Sequence, residues 1–282
     1  MGMIAPEPRQ GRTQSTASGA DFGWDKPAVV AKSGNAMLFA VPAKVGTMDA
    51  GSLIAVSDIP GFMKDLKKAV APRPPQRRGG MRGGLLSADS KSMPIVVHGF
   101  DKGTYDVVIA PSAASIAMVI AQVSEAKRPT VNDQLYSELD SLYPGWTFVL
   151  FCFSEQDAEQ AGCALIKYEP QREDLLYLPG LDGHAGVIEW GAVDIAHTVV
   201  VSSDQLKDGP NVNQVVYSDQ DVAKHPYLFT RVLGKVVSGR APQGDFLCQI
   251  ADIRKGEFRC KRALPPGTPA SVKLERGEPH YI

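Results

Sequence analysis

The run from Trp146 to Phe153, Trp-Thr-Phe-Val-Leu-Phe-Cys-Phe, constrains the fold more than any other stretch of the chain. A strand with one wet face alternates apolar and polar residues, and this one does not. Such a segment needs cover on both faces, so the run predicts a strand at the centre of the fold. Pro144-Gly145 sets its start by ending the helix before it. That helix is predicted over Val131–Tyr143, capped by Asn132 or Thr130, with Leu135, Leu139 and Leu142 recurring on one face.

Upstream, Ala28–Ala31, Met37–Val41 and Leu53–Val56 read as strands, the first two joined by a turn at Ser33-Gly34-Asn35. Asp58 and Pro60 then mark the start of an amphipathic helix carrying Phe62, Leu66 and Ala69 on one face. The same order returns with Ile95–Val97, a turn at Asp101-Lys102-Gly103, Val107–Ala110 and a helix from Pro111-Ser112 to about Val123. Leu53 matches Val107 and Phe62 matches Ile116 in this comparison, in pattern more than identity. It suggests either a duplicated strand-strand-helix unit or two ordinary α/β segments that happen to look alike. After Phe153 strands dominate: Ala164–Tyr168, Leu175–Leu178, Val193–Val201, Val212–Tyr217, Leu228–Val237, Asp245–Ile253 and Glu257–Lys261. The fold class expected is α+β: an N-terminal α/β portion followed by a mainly antiparallel β-rich portion, a sandwich or partial barrel.

Three parts follow from the changes in composition. Residues 1–24, rich in Pro, Gly, Ser, Thr and Gln, are expected to be a disordered tail, because they bury too little to offset the entropy of ordering. Residues 25–126 form the α/β portion and 127–282 the β-rich portion. Inside the first lies a stretch over 72–92, beginning Pro-Arg-Pro-Pro, that supports neither helix nor central strand and is expected to be a mobile loop.

Net charge is -1, from 30 basic and 31 acidic residues. That excludes a surface built as a whole for nucleic acid or anionic lipid and leaves only local contacts. No signal-peptide pattern opens the chain, Pro6 stands where a myristoylation signal wants Ser or Thr, and the uncharged run Val107–Ser124 is broken by polar residues and Pro111. A soluble, cytoplasmic protein with no membrane association is the expectation. The four cysteines, Cys152, Cys163, Cys248 and Cys260, form no CxxC pair and suit a reducing compartment. Cys248 and Cys260 flank the turn at Lys255-Gly256 and could neighbour each other on paired strands, but they are read as buried thiols.

Two groups carry candidate chemistry. Asp182, His184, Glu189, Asp194 and His197 are metal-ligand types near one turn and the strand after it, so a divalent metal is the cofactor they would take. Side chains on a strand alternate, however, so Asp194 and His197 could share an ion only if a bulge came between them. The plainer reading is a polar turn. The second group is Arg73, Arg77, Arg78 and Arg82 among glycines and prolines, which could meet phosphates of RNA or single-stranded DNA, or an acidic protein. It carries no interleaved aromatics, so a solvated insertion is the plainer reading there too. Tyr143, Trp146, Phe148, Phe151 and Phe153 read as core rather than pocket, and Cys152 as core rather than nucleophile. No nucleophile elbow, Walker loop or dinucleotide fingerprint is present. The function expected is therefore a non-enzymatic binding or assembly protein, with a protein partner or self-association. The alternatives are a metal-dependent, hydrolytic enzyme and an RNA- or ssDNA-associated protein.

Overall fold

The computed structural model describes residues 2–6, 34–55, 57, 59, 61–70, 93–157, 164–181, 187–188, 190–203, 205–225 and 228–272. In chain order the first elements are β1 (Gly2–Pro6), β2 (Asn35–Val41), β3 (Leu53–Ala55), α1 (Phe62–Ala69), β4 (Ile95–Phe100), β5 (Tyr105–Ala110), α2 (Ala113–Ile116), α3 (Asp133–Leu142) and β6 (Thr147–Phe153). There follow β7 (Ala164–Ile166), β8 (Leu175–Leu178), β9 (Ala192–Ser202), β10 (Asn213–Gln214), α4 (Asp219–Lys224), β11 (Arg231–Pro242), β12 (Asp245–Gln249), α5 (Ile250–Arg254) and β13 (Cys260–Ala263). The fold is α+β, and every ladder between these strands is antiparallel.

The first sheet has the order β2-β6-β5-β4. The apolar run sits inside it as β6, with β2 on one side and β5 on the other, and both its faces are covered as its composition demands. Phe148, Leu150 and Cys152 face a core shared with Ile116, Tyr136, Leu142 and Trp146, around α2 and α3. Val149 and Phe151 face the opposite core, with Tyr105, Val107, Met48 and Leu53. Phe151 meets Tyr105 edge-on at 5.5 Å between ring centroids. The Asn132 side chain caps α3 by accepting from the Leu135 N–H at 3.0 Å. Because β6 comes from beyond residue 126, the first sheet draws strands from both sides of the division read from composition.

The second sheet, β1-β9-β11-β10, packs face to face on a third, β13-β12-β8. Val199, Val201 and Leu233 of the second meet Leu178, Phe246 and Cys248 of the third. On its other face Val200 and Val232 receive Phe62, Leu66 and Val70 from α1 and the turn after it. This is the sandwich arrangement expected for the β-rich portion, extended by a helical layer.

Several local expectations are corrected. Gly2–Pro6 pair with β9 from Gly2↔Val201 to Pro6↔His197, while the rest of residues 1–24, expected to be a tail, and the strand expected at 28–31 lie outside the described residues. The pattern shared by the two early units is not matched by shared pairing: β4 and β5 form a hairpin, whereas β2 joins β6 and β3 joins β7. The helix expected to reach Val123 ends at Ile116 and gives way to a short 3-10 turn at Ile120–Gln122. The strand expected over Asp245–Ile253 stops at Gln249, where α5 begins. Cys248 and Cys260, read as thiols, are a disulfide across β12 and β13.

Candidate functional site

Asp182, His184 and Glu189, like Arg73, Arg77, Arg78 and Arg82, lie outside the described residues. Asp194 and His197 belong to β9, opposite Arg240 and Val237 of β11. The β9–β11 ladder runs in unbroken register from Val232↔Ser202 to Pro242↔Ala192, so the inserted residue that a shared ion would require is not there. Among the described residues no three His, Cys, Asp or Glu side chains gather as a metal group. Tyr143, Trp146, Phe148, Phe151 and Cys152 are core, as their pattern predicted. The Cys152 thiol is pushed up to about 12, chiefly by burial and then by the charge of Asp106, which leaves it a poor nucleophile at neutral pH.

Two buried carboxylates organise the polar interior, and the sequence reading missed both. Asp245, at the start of β12, is fully buried. Its Oδ1 accepts from the N–H groups of Gly180 at 2.8 Å and Leu181 at 3.1 Å. Its Oδ2 accepts from the hydroxyls of Tyr143, at 2.8 Å, and Tyr177. Burial pushes this carboxyl up, and the four donors pull it back. The Arg262 guanidinium lies 4.6 Å from the centre of the Phe246 ring, and burial, opposed by the Asp245 charge, brings it down to about 10. Since Tyr143 follows α3 while Tyr177 is on β8, Asp245 ties the first sheet's helical layer to the third sheet. Trp146 and Tyr177 reinforce that joint, ring edge to ring face at 4.5 Å.

Asp106, on β5, accepts from Gly99 N–H at 3.1 Å, from Ser124 N–H at 2.9 Å and hydroxyl at 2.5 Å, and faces His98 Nδ1 at 3.1 Å. Burial works against its charge, but the Ser124 hydroxyl and amide and the Gly99 amide outweigh it and hold the carboxyl well below the usual range. Each of these carboxylates is occupied by donors from the chain itself. Their geometry is that of clasps.

The feature turned toward solvent is the outer side of β11. β10 covers it only at Arg231 and Val232. From Leu233 to Pro242 no strand lies on that side among the described residues. In an antiparallel pair, alternate residues direct both N–H and C=O to the same neighbour. The Arg231 carbonyl accepts from Ser203 beside β9, and the Thr230 carbonyl accepts from Val215 on the other side. By that alternation Leu233, Lys235 and Val237 bond to β9, while Gly234, Val236 and Arg240 point their backbone groups outward. Lys235, Gly239 and Arg240 are exposed along this edge. The other well-exposed edge strand, β4, is interrupted by a bulge between Val97 and Phe100, with Gly99 at φ 63°, and Pro94 precedes it. Such devices shorten the length available for pairing, and β11 carries its own near its end, Gly239 at φ 114° and the terminal Pro242.

The fold is thus α+β, with the outer side of β11 unpaired from Leu233 to Pro242 among the described residues and the exposed Lys235 and Arg240 along it. No family model, no curated protein and no solved structure matches this chain.

Proposed function

We propose that this chain is a non-enzymatic binding protein that takes up an extended acidic segment of a partner protein along the open side of β11. The observation that supports the reading is the run of outward backbone groups at Gly234, Val236 and Arg240, which a partner strand would satisfy. Main-chain pairing of this kind supplies affinity, and side chains beside the edge supply selectivity. Lys235 and Arg240 argue for carboxylates on the partner.

The test is selection of extended peptides from an unbiased synthetic library, followed by anisotropy measurements on those recovered. The reading expects strand-forming acidic peptides whose affinity falls at least tenfold in Val236→Pro, which removes an outward N–H, and is kept in Val236→Ala. Lys235→Glu with Arg240→Glu should reverse the charge preference. Equal binding to Val236→Pro and Val236→Ala, with both variants folded, would overturn it, as would recovered peptides without acidic residues.

A further inference from the structure

The bond between Cys248 and Cys260 joins two residues that face each other directly in the β12–β13 ladder, their Cα atoms 4.5 Å apart. This is the close spacing of a non-hydrogen-bonded antiparallel pair, and it falls inside the range a disulfide spans without moving the backbone. Both residues are wholly buried, within the apolar layer of Leu178, Val199, Val201, Leu206, Leu233, Phe246 and Ile253. Thiol–disulfide exchange needs a thiolate to reach a sulfur in line, and nothing from solvent reaches these. Cys152 is on a different sheet, in a different core, and its thiol is held protonated by burial, so it is no resolving partner.

The cross-link closes a separation of 12 residues that includes α5 and the turn at Gly256, where φ is 76°. It also locks the hairpin that carries the interior clasp: Phe246 faces Arg262 and Asp245 faces Ala263 in the same ladder. We infer that Cys248–Cys260 is a permanent structural disulfide, formed before the third sheet closes on the second, and that the chain matures where a thiol oxidant is present. In the step required, two thiols give two electrons and two protons to the disulfide of an oxidant such as a dithiol-disulfide carrier, which leaves as a dithiol. This replaces the reducing compartment expected from the scatter of the four cysteines. It is independent of what binds at β11.

The deciding experiment traps thiols at once in the cells that make the protein, using N-ethylmaleimide under denaturing conditions, and maps the peptides. The expected result is Cys152 alkylated, and Cys248 and Cys260 recovered as one cross-linked peptide. The folded protein in dithiothreitol should keep the bond at least tenfold longer than the same protein in denaturant. A Cys248→Ala, Cys260→Val pair should melt on the order of 5–10 °C lower. Alkylation of both Cys248 and Cys260 in the trapped sample would overturn the inference. Equally rapid reduction with and without denaturant would overturn its structural role, whether or not the double variant folds.

Discussion

Replacing Asp245 by alanine removes one acceptor from four donors at once, one of them buried and three partly buried. The Gly180 and Leu181 amides and the Tyr143 and Tyr177 hydroxyls lose their partner, and Arg262 loses the carboxylate whose charge supports its own. An orphaned buried donor costs about 1–3 kcal/mol, but the four costs do not add, because water or a small shift recovers part of them. Relief of the carboxylate's own desolvation offsets another part. The net expected loss is about 3–5 kcal/mol, the range for breaking a buried charged group away from its partners. Asp245→Asn keeps one carbonyl oxygen and presents an NH2 to donors, so about 1–3 kcal/mol is expected. Tyr143→Phe removes one of the four bonds while the acid keeps three, and about 1 kcal/mol is expected. Urea unfolding at neutral pH, with slopes compared so that a change in midpoint reads as stability, measures the order Ala, Asn, Phe. An alanine variant within about 1 kcal/mol of wild type would refute the clasp.

Asp106 sets an acid limb. Its folded-state carboxyl lies below the reference 3.8, so its stabilisation is fully present above that pH and is lost as pH falls through and below it. Asp106→Asn should lower stability at neutral pH by about 1–3 kcal/mol and flatten its dependence between pH 5 and about 2 in denaturant titrations. Phe151→Ala opens a cavity at the heart of the first sheet, with about 3–5 kcal/mol lost in the same assay. Gly234→Ala would place a Cβ 2.2 Å from the Val199 carbonyl oxygen, so β11 must shift against β9, and a loss of about 1–3 kcal/mol is expected from thermal unfolding. Native-state alkylation of Cys152 by iodoacetamide should be at least tenfold slower than in denaturant, because the thiol is buried and held protonated.

What could be read from the sequence follows the range over which each signal acts. β8 has the expected limits Leu175–Leu178, and β6 and α3 fall where an apolar run and a capped three-four spacing placed them. Those are local patterns. α5 was missed because Ile250-Ala251-Asp252-Ile253 continues a strand-like apolar sequence, and five helical residues are too few to show a helical period. The disulfide was weighed and set aside because the number and scatter of cysteines say nothing about register; the ladder places Cys248 opposite Cys260. Asp245 was passed over as the first residue of a strand. Its partners stand 65, 64, 102 and 68 residues away, a convergence that no local spacing encodes. Asp106 did leave a mark, a lone acid beside Tyr105 in an otherwise apolar strand. An acid in such a run must find donors, and here they are Ser124 and Gly99.

The β11 edge was half legible. Its residues were read as a strand over Leu228–Val237, but which side stays open depends on β10 being only two residues long. The bare alternation of that edge is therefore what most directly tests the account. Residue-resolved amide exchange on the full chain should show Lys235 and Val237 protected by β9, while Gly234, Val236 and Arg240 exchange at least a hundredfold faster, slowing when a selected acidic peptide is added. If those three amides are as protected as their neighbours in the free protein, the edge is already covered and the proposed binding site does not exist.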